Sequence, residues 1–145
     1  MATFNKFDQF VEDCAAGVHD LSTGSTDVFK VMLTLTAPVA TNSVKADLTE
    51  IAAGDGYTAG GNAATLTTGA QTSGTFKLVL ADPTTWTATA GTFASFRYAV
   101  LYNDTPTSPA KPLIAWWDYG STVTLGASET FTVDLDQANG VLTIT

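Results

Sequence analysis

Residues 96–102 read FRYAVLY, and together with FKVMLTL at residues 29–35 they decide the fold. In the first stretch Phe96, Tyr98 and Val100 alternate with smaller or polar residues. Side chains two residues apart point to the same side of an extended strand, whereas a helical face needs spacings of three and four. Both stretches therefore predict half-buried β-strands.

Short alternating segments recur along the rest of the chain and are separated by turn residues. Asn139-Gly140 is the strongest hairpin signal, because this pair favours the type I′ turn that joins two antiparallel strands. Many short strands without crossover helices predict an all-β fold, a jelly-roll-like β-sandwich of about eight strands with one N-terminal helix. The further predicted strands are residues 64–68, 75–80, 85–89, 113–118, 122–125, 129–135 and 141–144, with turns that include Gly120 and Gly126.

The composition agrees with β structure. Hydrophobic residues make up 45% of the 145 residues and charged residues only 14%, which excludes a disordered tail or a charged coiled coil. Roughly one residue in six is Thr, whose branched Cβ suits pleated, half-buried surfaces.

The N-terminus carries a helical pattern. Phe4, Phe7, Val11, Cys14 and Val18 fall at spacings of three and four and predict a helix over about residues 4–16. A Gly/Ser/Thr cluster then ends it, so we expect residues 1–20 as a helix or arm and residues 27–145 as the β-sandwich of a single-domain protein. This helix either docks on the sandwich or packs on a neighbouring subunit.

Residues 42–61 are ambiguous. Val44, Leu48 and Ile51 form one helical face, or the segment runs as an extended arm with a short turn of helix. The glycine-rich run 54–61 is not a helix interior.

Charge excludes two classes of partner. The formal net charge is −8 and the six basic residues are scattered, which argues against binding to nucleic acid or to an anionic membrane. With one cysteine, Cys14, no intramolecular disulfide is possible, which favours folding in a reducing cytoplasm. We also expect no export signal and no membrane span.

No residue pattern points to catalysis. His19 is the only histidine and Cys14 the only thiol, with no third group to orient the imidazole, and zinc would need about four such ligands. Asp134 and Asp136 share a face of a predicted strand and in this pattern could hold a divalent metal, but a solvated surface gives the same pattern by chance. We predict no catalytic residue, no cofactor and no metal.

Adjacent tryptophans are the most distinctive surface signal. Trp116 and Trp117 must point to opposite faces of a strand. We expect one in the core and the other partly exposed, where a partner could cover its ring.

Several segments resemble a small protein encoded among the virion structural genes of tailed bacteriophages and prophages. The resemblance covers nearly the full length and is carried by residues 30–34, 36–40, 46–51, 56–61, 96–102 and 117–120. Capsid cement or decoration proteins, β-rich modules that bridge neighbouring major capsid subunits, are the best analogy. The resemblance brings no catalytic residues.

This resemblance implies a structural protein made in the bacterial cytoplasm and carried on the capsid exterior. Its expected partner is the major capsid protein, and we expect a homo-oligomer. The predicted contact residues are Phe4, Phe7, Val11, Val44, Leu48, Ile51, Tyr57, Trp116 and Trp117, within the helix, the arm 41–57 and the Trp pair. The alternatives are a tail or neck adaptor and a carbohydrate-binding module that stacks a Trp on a sugar.

Overall fold

The computed structural model describes residues 2–91 and 93–145, so the first residue of the predicted 1–20 segment lies outside it. The chain is all-β with antiparallel sheets and one α-helix. Ten strands lie within these residues: β1 (Thr3–Lys6), β2 (Phe29–Thr34), β3 (Asn62–Ala63), β4 (Leu66–Thr72), β5 (Thr75–Leu80), β6 (Trp86–Thr87), β7 (Phe96–Asn103), β8 (Leu113–Val123), β9 (Thr130–Phe131) and β10 (Leu142–Ile144). Helix α1 spans Gln9–Ala15, and a 3-10 turn spans Lys45–Asp47.

A five-stranded sheet forms the centre of the molecule, in the order β1-β8-β7-β2-β3. The two stretches that the alternation singled out, β2 and β7, lie side by side, with Phe29 opposite Asn103 and Thr34 opposite Tyr98. All but one residue of β7 is buried, so the prediction that these two strands are half-buried is wrong, and in β2 every residue except Lys30 is buried. Burial on both faces explains why the middle of this strand is apolar without interruption.

One face of the five-stranded sheet packs against two smaller sheets, β10-β5-β4 and β6-β9. The main hydrophobic core lies between them and includes side chains from all three sheets, among them Phe29, Leu78, Trp86, Leu101 and Ile114. The predictions of strands at 75–80 and 96–102 are confirmed.

A second, smaller core covers the opposite face. Phe7, Met32, Val100, Tyr102 and Leu113 are fully buried there, with Leu48 and Trp116 packed against them. The segment that covers them is the ambiguous region 42–61. It adopts the extended alternative with a single 3-10 turn, and main-chain hydrogen bonds join residues 43 and 45 to residues 113 and 111.

The prediction of a helix over residues 4–16 is wrong in its first half. Residues 3–6 form β1, which pairs with β8 so that Phe4 lies opposite Trp117, and α1 begins only at Gln9. Phe10, not Val11, is the buried hydrophobic side chain of α1. Spacings of three and four also arise when a strand, a bend and a helix follow one another, and sequence spacing alone does not separate the two.

The hairpin prediction at Asn139-Gly140 and the turn prediction at Gly120 are also wrong. Asn139-Gly140 does not join two paired strands, since β10 pairs with β5 and β9 pairs with β6. Gly120 lies inside β8, which joins the two strands predicted at 113–118 and 122–125. A turn does lie at residues 137–139, but long-range pairing places the strands on its two sides in different sheets.

Candidate functional site

An open groove of about 350 Å³ lies between the five-stranded sheet and the segment 131–136. Its floor comes from β7 and β8 and its outer wall from residues 131–136, while Ala2 and Phe4 border it at the sheet edge. The groove faces the same side of the sheet as the main core. It is the part of that face that the smaller sheets leave uncovered.

Aromatic rings dominate the lining of this groove. Phe4 meets Trp117 edge to face at a centroid distance of 5.8 Å, and Phe131 contacts Phe96 at 4.6 Å and Tyr119 at 6.0 Å. Phe4 is 39% exposed and Tyr119 is 59% exposed. Two large apolar rings are therefore open to solvent at one place, a composition typical of binding surfaces.

An irregularity in β8 presents Tyr119 to the groove. Tyr98 pairs with Asp118, but Phe96 pairs with Val123, so β8 holds extra residues at this point. Gly120 has a φ of +95°, in the region that favours glycine, and its N–H donates to an Asp118 carboxylate oxygen at 2.7 Å. Bulges of this kind re-aim side chains at sheet edges.

Arg97 and Asp118 form a two-pronged ion pair beside the groove. The Arg97 Nε and Nη2 atoms donate to the two carboxylate oxygens at 2.7 and 2.8 Å. Arg97 also lies over the ring of Tyr98, 5.3 Å from its centroid. The hydrogen bonds from Arg97, followed by that from Gly120, lower the pKa of Asp118. The cation of the groove is thus already neutralised.

The outer wall carries two exposed carboxylates, Asp134 and Asp136. Hydrogen bonds hold the wall in place: Leu135 N–H donates to Asp82 at 2.8 Å, and the hydroxyls of Thr85 and Thr132 are 2.8 Å apart. Within residues 2–91 and 93–145, no group of three or more His, Cys, Asp or Glu side chains is placed to hold a metal ion.

Three of the predicted contact residues belong to the core. Phe7 is 0% exposed, Ile51 9% and Tyr57 3%, so none of them presents its side chain to a partner. The expectation of surface contacts at these positions is corrected accordingly. Val44 and Leu48 are half-buried in the segment that covers the second core.

The remaining predicted contact residues keep some exposure. Phe4 lies in the groove, and Val11 is 58% exposed on α1. Trp116 and Trp117 do face opposite sides, but both are half-buried, so the expectation that one is a core residue is wrong. Trp116 packs on Phe7, and only Trp117 reaches the groove.

Glu50 links three parts of the 42–61 segment to one another. Its carboxylate accepts hydrogen bonds from Lys45 Nζ at 2.6 Å, from the Tyr57 hydroxyl at 2.6 Å and from the Gly60 N–H. Burial alone would raise the pKa of Glu50, but these donors together hold it below its ordinary value. The N–H of Leu33 in β2 donates to the Tyr57 hydroxyl at 3.1 Å, and this bond holds the segment, which was predicted to reach out to a partner, against its own sheet.

The histidine lies against Phe10 of α1 at a ring-centroid distance of 5.3 Å, and the thiol is half-buried on the same helix. His19 is 7% exposed, and its Nδ1 lies 3.3 Å from the Asn103 Nδ2. Burial raises the pKa of the Cys14 thiol to about 11, so it is not a thiolate at neutral pH. Cys14 packs against the main core.

Sequence reasoning missed Tyr119, Phe131 and Val133 as groove residues. The run Trp116-Trp117-Asp118-Tyr119 was the available signal, because three rings in four residues exceed what one strand can bury. Nothing in the sequence marked Phe131 and Val133, because only the folding of the chain brings them to the groove.

No protein-family model, curated protein or solved structure matches this chain. Within the described residues no helix is both long and apolar enough to pass through a membrane.

Proposed function

We propose that this chain is a structural protein of tailed-phage particles that decorates and cements the capsid by binding across major capsid protein subunits. The observation that carries the proposal is the aromatic groove, where Phe4 and Tyr119 are exposed beside an edge strand of the central sheet. Exposed rings of this kind anchor protein interfaces. The sequence resemblance to phage virion proteins supplies the class of partner.

The overall charge and architecture support the same role. A net charge of −8 suits a position on the capsid exterior, away from packaged DNA. Many copies on a symmetric shell add weak contacts through multivalency, so a groove of modest size suffices. The jelly-roll-like arrangement belongs to this proposal, supported by the neighbours β1-β8 and β7-β2, which are not consecutive along the chain.

Particle binding tests the proposal directly. The purified protein is mixed with particles of the phage or prophage that encodes it, stripped of this protein, and sedimented. We expect co-sedimentation of the wild type and at least a tenfold weaker association of Tyr119→Ala. Val39→Ala is the matched control, because Val39 is 54% exposed and does not line the groove. Absence of wild-type binding would count against the proposal, and a cryo-EM map would separate head from tail positions.

A carbohydrate-binding module is the second candidate function. The groove presents Trp117 and Tyr119 next to the carboxylate of Asp134, a combination of stacking ring and hydrogen-bond acceptor that sugars use. Glycan-array binding that is lost in Trp117→Ala would favour this candidate over the first.

A further inference from the structure

The groove carries excess negative charge. Three of its lining residues are charged at neutral pH, namely Arg97, Asp134 and Asp136. Arg97 is neutralised by Asp118. The N–H and then the side-chain amide of Asn139 lower the pKa of Asp136, with a smaller contribution from Lys77, so this carboxylate stays ionised. A cation therefore complements the wall better than an anion or a neutral group.

The rings of the groove favour the same kind of ligand. Four aromatic residues line the groove together with Asp134 of its outer wall, namely Phe4, Trp117, Tyr119 and Phe131. The face of an aromatic ring attracts a cation, and Arg is the side chain most often found there. A long basic side chain would place its methylene groups on the rings and its charge near the carboxylates.

The edge of the central sheet lies next to this space. β1 is the terminal strand of the five-stranded order, and in the part of the chain described no strand pairs with its outer edge. Ala2 and Phe4, in or beside this strand, also line the groove. An extended segment that paired with β1 would direct every second side chain to the groove side of the sheet.

We infer that this groove and the β1 edge together bind an extended segment of a partner protein that inserts an arginine or lysine side chain next to an apolar one. The inference rests on the proposed function, since it names the chemistry of the partner at the same site. Specificity comes from the aromatic lining and Asp134, and main-chain pairing with β1 adds affinity without sequence preference.

Selection from a displayed library of random nonapeptides tests the inference. We expect peptides enriched on the wild type to share a basic residue with an apolar residue two positions away. In the best peptide, replacing the basic residue with the neutral isostere citrulline (for Arg) or norleucine (for Lys) should weaken binding at least tenfold. Asp134→Asn should remove most of that preference, and binding should weaken as salt is raised.

Matched variants keep the outcome clear. Tyr119→Ala should weaken the selected peptide at least tenfold, whereas Val39→Ala should leave binding unchanged, and circular dichroism checks that each variant is folded. No enrichment, a consensus without a basic residue, or binding that survives both groove variants would overturn the inference. Glycan binding at Trp117 in place of peptide binding would overturn it as well.

The two proposals fail separately. If Tyr119→Ala and Asp134→Asn still bind stripped particles as well as the wild type, the groove inference is wrong while the virion role stands. If the wild type selects basic peptides but ignores the particles, the virion role is wrong and the groove chemistry holds.

Discussion

At the scale of single residues, the tightest requirement lies where the loop after α1 crosses β4. Gly69 N–H donates to the Thr23 hydroxyl at 2.9 Å, and Thr23 N–H donates to the Gly69 carbonyl at 3.0 Å. A Cβ at position 69 would collide with the main-chain carbonyl of Leu21. Backbone cannot move aside as a side-chain tip can, so only glycine fits here.

Gly69→Ala should therefore lower the free energy of unfolding by about 3 kcal/mol, at the upper end of overpacking effects. Urea denaturation followed by circular dichroism measures this change. Gly91→Ala is the control, because its Cβ meets nothing within 4 Å and the position has no positive φ. Equal stability of the two variants would show that residues 21–23 do not lie on β4 as described.

His19 makes stability depend on pH. Burial lowers its pKa below 6.5, and this effect outweighs the opposite influence of the Asp13 and Asp27 carboxylates. The Asn103 amide is fixed by its bonds to Asp27 and Thr105, so it donates to Nδ1 and the neutral imidazole carries its proton on Nε2.

The unfolded chain takes up a proton near pH 6.5 that the folded chain resists, so stability is complete above that pH and falls as pH decreases toward the folded-state pKa. One proton limits the slope to about 1.4 kcal/mol per pH unit. Urea titrations between pH 7.5 and 5 should show this loss in the wild type and a flatter profile in His19→Gln. An unchanged slope in the variant would assign the loss to other groups.

At the scale of elements, β1 shows what a sequence pattern can and cannot specify. Side chains of a strand alternate between the two faces of its sheet, so bulky apolar residues at every second position were enough to predict β2, β5 and β7, although β2 and β7 are buried on both faces. The N-terminus gave a false helix because Phe4, Phe7 and Val11 sit at spacings of three and four although they belong to a strand, a bend and a helix. Only the pairing of residues 3–6 with β8 shows that this part of the chain is a strand and not the start of a helix.

Two phenylalanines of this N-terminal segment should behave in opposite ways. Phe7→Ala empties a fully buried site in the second core and should cost about 3–5 kcal/mol. Phe4 is 39% exposed and mainly touches Trp117, so Phe4→Ala should cost about 1 kcal/mol or less. Thermal and urea unfolding measure both. Similar losses would contradict the assignment of Phe7 to the core and Phe4 to the groove.

The Glu50 carboxylate links three parts of the 42–61 segment to one another, and this makes a second prediction at the scale of elements. Glu50→Ala leaves Lys45, the Tyr57 hydroxyl and the Gly60 N–H without their acceptor and should cost about 2–3 kcal/mol. Tyr57→Phe removes one of these bonds and also takes away the acceptor of the buried Leu33 N–H, so it should cost a similar amount. Limited proteolysis should cut residues 42–61 faster in Glu50→Ala than in the wild type. Equal cleavage would show that the hydrogen bonds of Glu50 do not order this segment.

At the scale of the whole molecule, the groove shows why the site was harder to predict than the fold. Phe4 lies more than a hundred residues before Trp117 and Phe131 in the sequence, and the three meet only through β1, β8 and β9. Local periodicity carries no information on such contacts, whereas it does specify most strands. The aromatic residues could be counted from the sequence, but the sequence did not show that these three meet in one groove.

The division into a 1–20 arm and a 27–145 sandwich leads to the last prediction. Phe10 and Leu21 belong to the same core cluster as Leu78 and Trp86, and β1 is part of the central sheet. Elements that share a core unfold together, so residues 1–20 should not separate from the rest. We expect coincident urea transitions from far-ultraviolet circular dichroism and from tryptophan fluorescence.

A variant that retains only Trp86, with Trp116 and Trp117 changed to Phe, makes this test local. Trp86 is 1% exposed in the main core and reports on the smaller sheets, whereas the other two indoles report on β8 next to β1. If the chain is one cooperative unit, the Trp86 signal and the dichroism of the same variant give one midpoint. An earlier fluorescence transition at β8 in the wild type, with the midpoint of the Trp86 signal unchanged, would mean that the N-terminal segment and the groove open first. A partner that fills the groove would then raise the midpoint of that earlier transition selectively.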